Sequence, residues 1–108
     1  MRRSTRRQYD DATASVSPVS SWRVEFTSAA DRSLDRLPSR VLPAVLEFAY
    51  GPLSENPRRV GKPLRNKFEG LLSARRGDYR LVHEIRDADM AVIVHRVAHR
   101  SVAYRPAR

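Results

Sequence analysis

The sequence predicts an α+β domain in which an N-terminal strand leads into a helical hairpin and then into an antiparallel β-meander. Three observations carry this. Trp22, Val24 and Phe26 alternate with Arg23 and Glu25 at the period of a half-buried strand. Ala30, Leu34 and Leu37, then Val41, Val45 and Phe48 with Leu42, Leu46 and Ala49, recur at helical spacing on either side of Pro38. After Lys67, apolar runs are separated only by Gly77-Asp78 and by Asp87-Ala88-Asp89, and successive tight turns imply strands that pair antiparallel.

Each element follows in order. Residues 1–21 mix four arginines and two aspartates with Thr, Ala, Ser, Val and Pro in no apolar rhythm. Nothing there offsets the entropy of ordering, so a disordered basic tail is expected ahead of a folded domain over 22–108. Trp22–Thr27 reads as the first strand. Ser28 and Asp31 stand at capping-box spacing and open a short helix that Pro38 ends. A second helix runs from an N-cap at Ser39 to a stop at Gly51-Pro52, with Pro43 tolerated in the first turn, where a missing N–H removes little. Leu53–Lys67, punctuated by Pro57, Gly61 and Pro63, reads as a loop. Phe68–Ala74, Tyr79–Arg86 and Met90–Ala98 read as the three meander strands.

At 108 residues and 41% hydrophobic, the chain holds one domain with a modest core. No apolar run approaches the roughly 18 residues of a membrane span, and no signal-peptide apolar region opens the chain, so a cytoplasmic protein is expected. The absence of cysteine excludes disulfides and thiolate metal sites. The formal charge is +9, and 19 of the 21 cations are arginine. Residues 22–56 carry a net charge of −1 and residues 57–108 a net +8. Segregation of this kind marks a face for a polyanion better than the total does.

The chemistry gathers at Ser73–Arg80, S-A-R-R-G-D-Y-R. If Gly77-Asp78 closes a two-residue hairpin, Arg75 and Arg80 leave adjacent strands side by side, two planar forks of donors suited to a phosphate. The meander then returns His99 and Arg100 to the same edge. Cleaving RNA without a metal needs a proton acceptor for the 2′-hydroxyl, a proton donor for the leaving 5′-oxygen and fixed cations for the phosphorane. Imidazole can move either proton, and a tyrosine can stack on a base or donate a proton. Arg75, Arg80, His99, Arg100 and Tyr104 contain that set, with Lys62, Arg65, Lys67 and Arg76 as a basic rim that binds substrate. His83 and His95, each inside an apolar strand, read as packing residues, and Tyr79 by the same alternation reads as core.

V-E-F-T-x-x-A at 24–30, G-K-P-L at 61–64, S-A-R-R-G-D-Y-R at 73–80 and H-R-S-V-A-Y-R at 99–105 resemble the RelE toxins of bacterial type II toxin–antitoxin systems. The resemblance spans Trp22–Arg105 and implies a microbial-ribonuclease-like α+β fold. It implies metal-independent, cofactor-free cleavage of mRNA in the ribosomal A site, and a RelB-like antitoxin that covers the site. The complex with antitoxin would bind operator DNA. The family's hairpin arginine falls on Arg80, its basic residue before the turn on Arg75, its C-terminal basic pair on His99 and Arg100, and its terminal tyrosine on Tyr104. The best-known members place two lysines on the strand before the hairpin, where this chain has Leu72 and Ser73. ParE toxins share the fold, lack the catalytic set and act on DNA gyrase, so a non-enzymatic gyrase inhibitor is the alternative, with a decayed nucleic-acid-binding homologue behind it.

Overall fold

A computed structural model describes residues 21–103 of the chain. The predicted tail through residue 20, and Tyr104, lie outside the described residues. Five strands form one sheet: β1 (Arg23–Phe26), β2 (Gly61–Pro63), β3 (Leu72–Arg76), β4 (Tyr79–Arg86) and β5 (Ala91–His99), in spatial order β1-β5-β4-β3-β2. β2, β3, β4 and β5 pair antiparallel in succession, whereas β1 pairs parallel with β5. β5 is therefore interior to the sheet, and its run Ala91-Val92-Ile93-Val94 is buried throughout. One face carries the core, where Val24, Phe26, Ala74, Leu81, Val92, Val94 and Val97 meet Ala30, Leu34, Val45, Ala49 and Leu53 from the helical segments.

Helix α1 spans Ser28–Asp35. Its cap is Thr27, not the predicted Ser28: the Thr27 hydroxyl accepts from the Ala30 backbone N–H at 3.1 Å. A threonine ending β1 is already extended, as an N-cap must be, which leaves Ser28 as the first helical residue. Helix α2 spans Val41–Phe48 and has no side-chain cap at all, because the Pro38 carbonyl accepts from both Val41 and Leu42. Nor does the helix stop at Gly51-Pro52. It widens into a π-turn over Ala49–Leu53 that contains Pro52. Proline offers no N–H and its ring presses on the carbonyl four residues back, and the wider turn relieves both. Ala49 and Leu53 have no exposed surface, so burial carries the helix past its punctuation. Ser54 then latches the segment to β1, its hydroxyl donating to the Trp22 carbonyl at 2.6 Å while the Trp22 N–H donates to the Ser54 carbonyl at 2.8 Å.

The predicted loop over 53–67 is the largest departure. It holds helix α3 (Pro57–Val60), strand β2 and a 3-10 turn at Asn66–Phe68. Asn56 caps α3 by accepting from the Arg59 N–H at 3.2 Å, with Pro57 at the first helical position. Pro63 is tolerated because β2 is an edge strand. β3 begins at Leu72, four residues later than expected, since Phe68 belongs to the 3-10 turn and Gly70 adopts φ +95°. β5 begins at Ala91, one residue late, because Met90 takes the left-handed conformation that closes the Asp87–Asp89 turn.

A β-bulge in the β4–β5 ladder sets the side-chain phase. Val82 pairs with Arg96 and His83 with Val94, so His95 is the extra residue. The bulge lets Val92, Val94 and Val97 all face the helices while Arg96 faces out. His83 is fully buried on the helix side, as its alternation predicts, with Nδ1 donating to the Leu81 carbonyl at 3.0 Å. With its proton there, Nε2 has no hydrogen to offer. Burial pushes the His83 pKa below the usual histidine value despite the carbonyls of Leu81 and Pro57, which favour the charged ring.

Gly61 lies against this ring. A β-carbon there would stand 2.8 Å from the Pro57 carbonyl oxygen and 2.9 Å from His83 Nε2. Gly61→Ala should accordingly destabilise the domain by about 1–3 kcal/mol, read as a lowered urea midpoint at unchanged m-value. A second expectation concerns pH. Since folding lowers the His83 pKa, the unfolded chain binds more protons there, so stability is fully present above about pH 6.5 and declines as pH falls below it. Unfolding free energies from urea titrations should drop between pH 7 and 5.5, by at most about 1.4 kcal/mol per pH unit, and His83→Gln should flatten that slope.

Candidate functional site

The second face of the sheet points away from the helical core, and pleating decides what it displays. Residues directly opposite one another share a face, so Arg75 and Arg80 stand together on it, with Ala98 beyond Arg80. One step further from the turn, Lys62, Ser73, Val82 and Arg96 form a second row. The orientation of β2 is independently set, because the Cα–Cβ direction of Gly61 aims at buried His83 and its neighbour Lys62 must therefore aim away.

Two arginines directly opposite on paired strands repel one another. Arg80 is half-buried and folds towards the turn, Nη1 donating to the Gly77 carbonyl at 3.3 Å and the Tyr79 carbonyl at 3.4 Å. Gly77, at φ +62°, makes that turn possible. Among the described residues no carboxylate pairs with Lys62, Arg75, Arg76 or Arg80, because the nearby acids are committed elsewhere. Glu84 accepts from Arg86 Nε and meets His95 Nε2, both at 2.9 Å, and these partners, Arg86 first, hold its carboxyl below the usual range. Arg58 grips Asp87 with two hydrogen bonds and lowers its pKa likewise. Asp78 lies 3.8 Å from Arg100 Nε.

His99 reaches the same end of the sheet but from the other face. It is paired with Tyr79, ring centroids 5.5 Å apart and edge-on at 88°, with Arg76 as the next residue across. Tyr79 is half-buried at this rim and stands outside the core cluster, contrary to its alternation. Ser101 serves His99 Nδ1 in two ways, its hydroxyl at 3.0 Å and its N–H at 3.2 Å. An acceptor and a donor at one nitrogen keep it partnered in either tautomer, leaving Nε2 for a proton cycle. The Arg100 N–H donates to the Asp78 carbonyl at 2.8 Å, tying the end of β5 to the hairpin turn. Ala103, the last described residue, is buried.

The structure thus brings Arg75, Arg76, Arg80, His99 and Arg100 to one end of the sheet, with Lys62 one row behind on the Arg80 face. Arg65 and Lys67 are not brought there: β2 runs away from the turn, and both residues lie beyond the far end of β3. Sequence reasoning missed Arg96, which strict alternation from Val92 and Val94 would send into the core; only the bulge reverses it.

An α+β sheet that ends, among the described residues, in cations without a carboxylate partner beside an imidazole defines a small basic domain. Comparison with known proteins makes this specific. The sequence model of the family described as ParE toxin of type II toxin–antitoxin system, parDE, matches residues 24–104. Toxin RelG of Mycobacterium tuberculosis is 52% identical over 84 residues, 78% of this chain and 97% of that protein. Toxin RelE of the same organism is 51% identical over 84 residues, 78% of this chain and 87% of its own. Among solved structures, the toxin–antitoxin complex RelBE2 of M. tuberculosis aligns with TM-score 0.71 at 52% identity, covering 73% of this chain and 98% of that one. The intact Escherichia coli RelBE complex aligns with TM-score 0.59 at 25% identity, covering 72% and 95%. The chain belongs to the RelE/ParE family of type II toxin–antitoxin toxins and is of RelE type.

If the paired arginines are kept for a ligand, removing one should not weaken the fold. Arg75→Gln should leave stability unchanged or raise it by a few tenths of a kcal/mol through lost repulsion. Inorganic phosphate should raise the melting temperature of the parent more than that of the variant, as read by calorimetry.

Proposed function

We propose that this toxin cleaves messenger RNA on the ribosome, by a transesterification run from the hairpin end of the sheet. The observation that best supports it is the unneutralised Arg75–Arg80 pair on one face with His99 at the same end. In this reaction the 2′-oxygen attacks the adjacent phosphorus as its proton passes to a base, and the P–O5′ bond breaks as an acid protonates the leaving oxygen. Arg80, braced on the turn carbonyls, is assigned to the equatorial oxygens of the phosphorane, with Arg75 and Arg100 beside it. His99 is assigned as proton carrier through Nε2, reaching round the end of the sheet rather than across it. Tyr104 is assigned to stacking on a substrate base. Lys62 and Arg76 complete the substrate contacts, and the chemistry calls on no metal or cofactor. The partner is a RelB-like antitoxin, by analogy with the aligned toxin–antitoxin complexes RelBE2 and RelBE, and its acidic segment is assigned to fold along these cations.

A gyrase inhibitor of ParE type is the second reading, favoured by the description of the matching family. Primer extension on mRNA after induction separates the two. Ribosome-phased cuts are expected, whereas intact mRNA with a supercoiling defect would establish the inhibitor instead. Arg80→Ala should lower single-turnover cleavage on programmed ribosomes on the order of 100-fold to 1000-fold while the protein still folds and binds antitoxin. His99→Gln, which keeps hydrogen bonding but cannot carry a proton, should lower it roughly 100-fold to 10,000-fold; an unchanged rate would remove His99 from the chemistry.

A further inference from the structure

Nε2 of His99 can deliver a proton or accept one, and the bond made by the opposite ring nitrogen decides which. That bond is set by the turn after β5. The Arg100 N–H donates to the Asp78 carbonyl at 2.8 Å and the Val102 N–H returns to the His99 carbonyl at 2.9 Å, with Ala103 buried beyond them. The Ser101 N–H between these bonds is therefore held in place, and it donates to His99 Nδ1 at 3.2 Å. A donor that cannot rotate needs a lone pair in front of it, so the neutral ring keeps its one hydrogen on Nε2. In that form Nε2 has no lone pair for a substrate proton. When the ring gains a second proton, Nδ1–H needs an acceptor, and the Ser101 hydroxyl at 3.0 Å supplies it. A hydroxyl can turn to give a hydrogen bond or to take one, which a backbone N–H cannot do. The ring is confined on other sides as well. Tyr79 stands edge-on beside it, and Ala74, Leu81 and Val97 close the same face two residues further from the hairpin turn. Among the described residues the charged groups around it are Arg76, beyond Tyr79 on β3, and Arg100 with Asp78. No carboxylate there pairs with the ring itself.

We propose that Ser101 is the positioning residue that commits His99 to proton delivery, its N–H keeping the neutral ring's hydrogen on Nε2 and its hydroxyl holding the doubly protonated ring. In the cleavage step the 2′-oxygen bonds to phosphorus and its proton passes to solvent water. The P–O5′ bond breaks as the Nε2 hydrogen passes to the leaving 5′-oxygen. The ring is left neutral, its remaining hydrogen on Nδ1 and received by the Ser101 hydroxyl, until exchange with solvent reloads it. This inference rests on the nucleolytic reading for the substrate, whereas the hold of Ser101 on the ring does not.

The test compares single-turnover cleavage, on programmed ribosomes, of an ordinary mRNA and of one with sulfur in place of the leaving 5′-oxygen, since a thiolate departs without a proton. On the oxygen substrate Ser101→Ala should lose about 10-fold to 100-fold, the contribution of one hydrogen bond to a charged group, and Ser101→Thr should regain the parent rate. The pH above which cleavage declines should move lower in Ser101→Ala, because the hydroxyl bonds the charged ring more strongly than the neutral one. On the sulfur substrate both His99→Gln and Ser101→Ala should approach the parent. A defect that persists there would overturn the assignment, as would equal rates for Ser101→Ala and the parent on the oxygen substrate. Ring-nitrogen NMR of the free full chain at about pH 8, above the usual histidine range, should show Nδ1 bare and Nε2 carrying the hydrogen. The opposite tautomer would overturn the hold of Ser101 whatever the RNA result. A parent that cleaves neither substrate would sink the nucleolytic reading and proton delivery with it, while the expected tautomer would leave the hold of Ser101 standing.

Discussion

The position of β5 between a parallel and an antiparallel neighbour is the constraint on which the rest depends. A parallel pair needs a long crossover, and here it is the whole chain from Thr27 to Met90, so β1 meets its partner only across every other element of the described fold. Because β5 is interior and covered by helices on one face, its valines must meet the core and Arg96 must not. Strict alternation would satisfy only half of that. The bulge at His95 satisfies both, turning Val97 inward and Arg96 outward within two residues.

The same economy of position explains the charge. The acids of the basic half stand where they clamp structure: Asp87 joins the β4–β5 turn to α3 through Arg58, and Glu84 ties Arg86 to His95. Those exposed pairs contribute little stability individually. Their consequence lies elsewhere, since among the described residues they leave Lys62, Arg75 and Arg80 without counter-charges. A sheet that sets like charges opposite one another gives up stability at that point, as functional sites commonly do.

Behind the face that carries Arg75 and Arg80, His83 and Gly61 couple the core to those cations. The buried ring occupies the space a β-carbon at position 61 would need, so β2 approaches closely only because residue 61 is glycine. That approach makes an edge strand of a segment rich in proline and cations, and it orients Lys62 towards the arginines. Packing on one face of the sheet thereby fixes chemistry on the other.

Local features of the sequence were sufficient for β1, for both long helices, for the Gly77-Asp78 hairpin with Arg75 opposite Arg80, and for the return of His99 to the same end. Each depends on periodicity or on a turn of two or three residues, which neighbouring residues determine by themselves. The π-turn through Pro52, the strand at Gly61–Pro63, the phase of Arg96 and the placing of His99 on the face opposite Arg80 depend on contacts between residues far apart in the chain. Burial of Leu53 outweighs the breaking tendency of Gly51-Pro52, pairing with β3 outweighs the loop signals around Pro63, and a one-residue bulge inverts a pattern that sequence reads strictly by twos. The sequence by itself therefore determined to which end of the sheet the hairpin arginines and His99 go, while tertiary structure decided which face each occupies, because a face is a property of register and register is fixed only when strands meet.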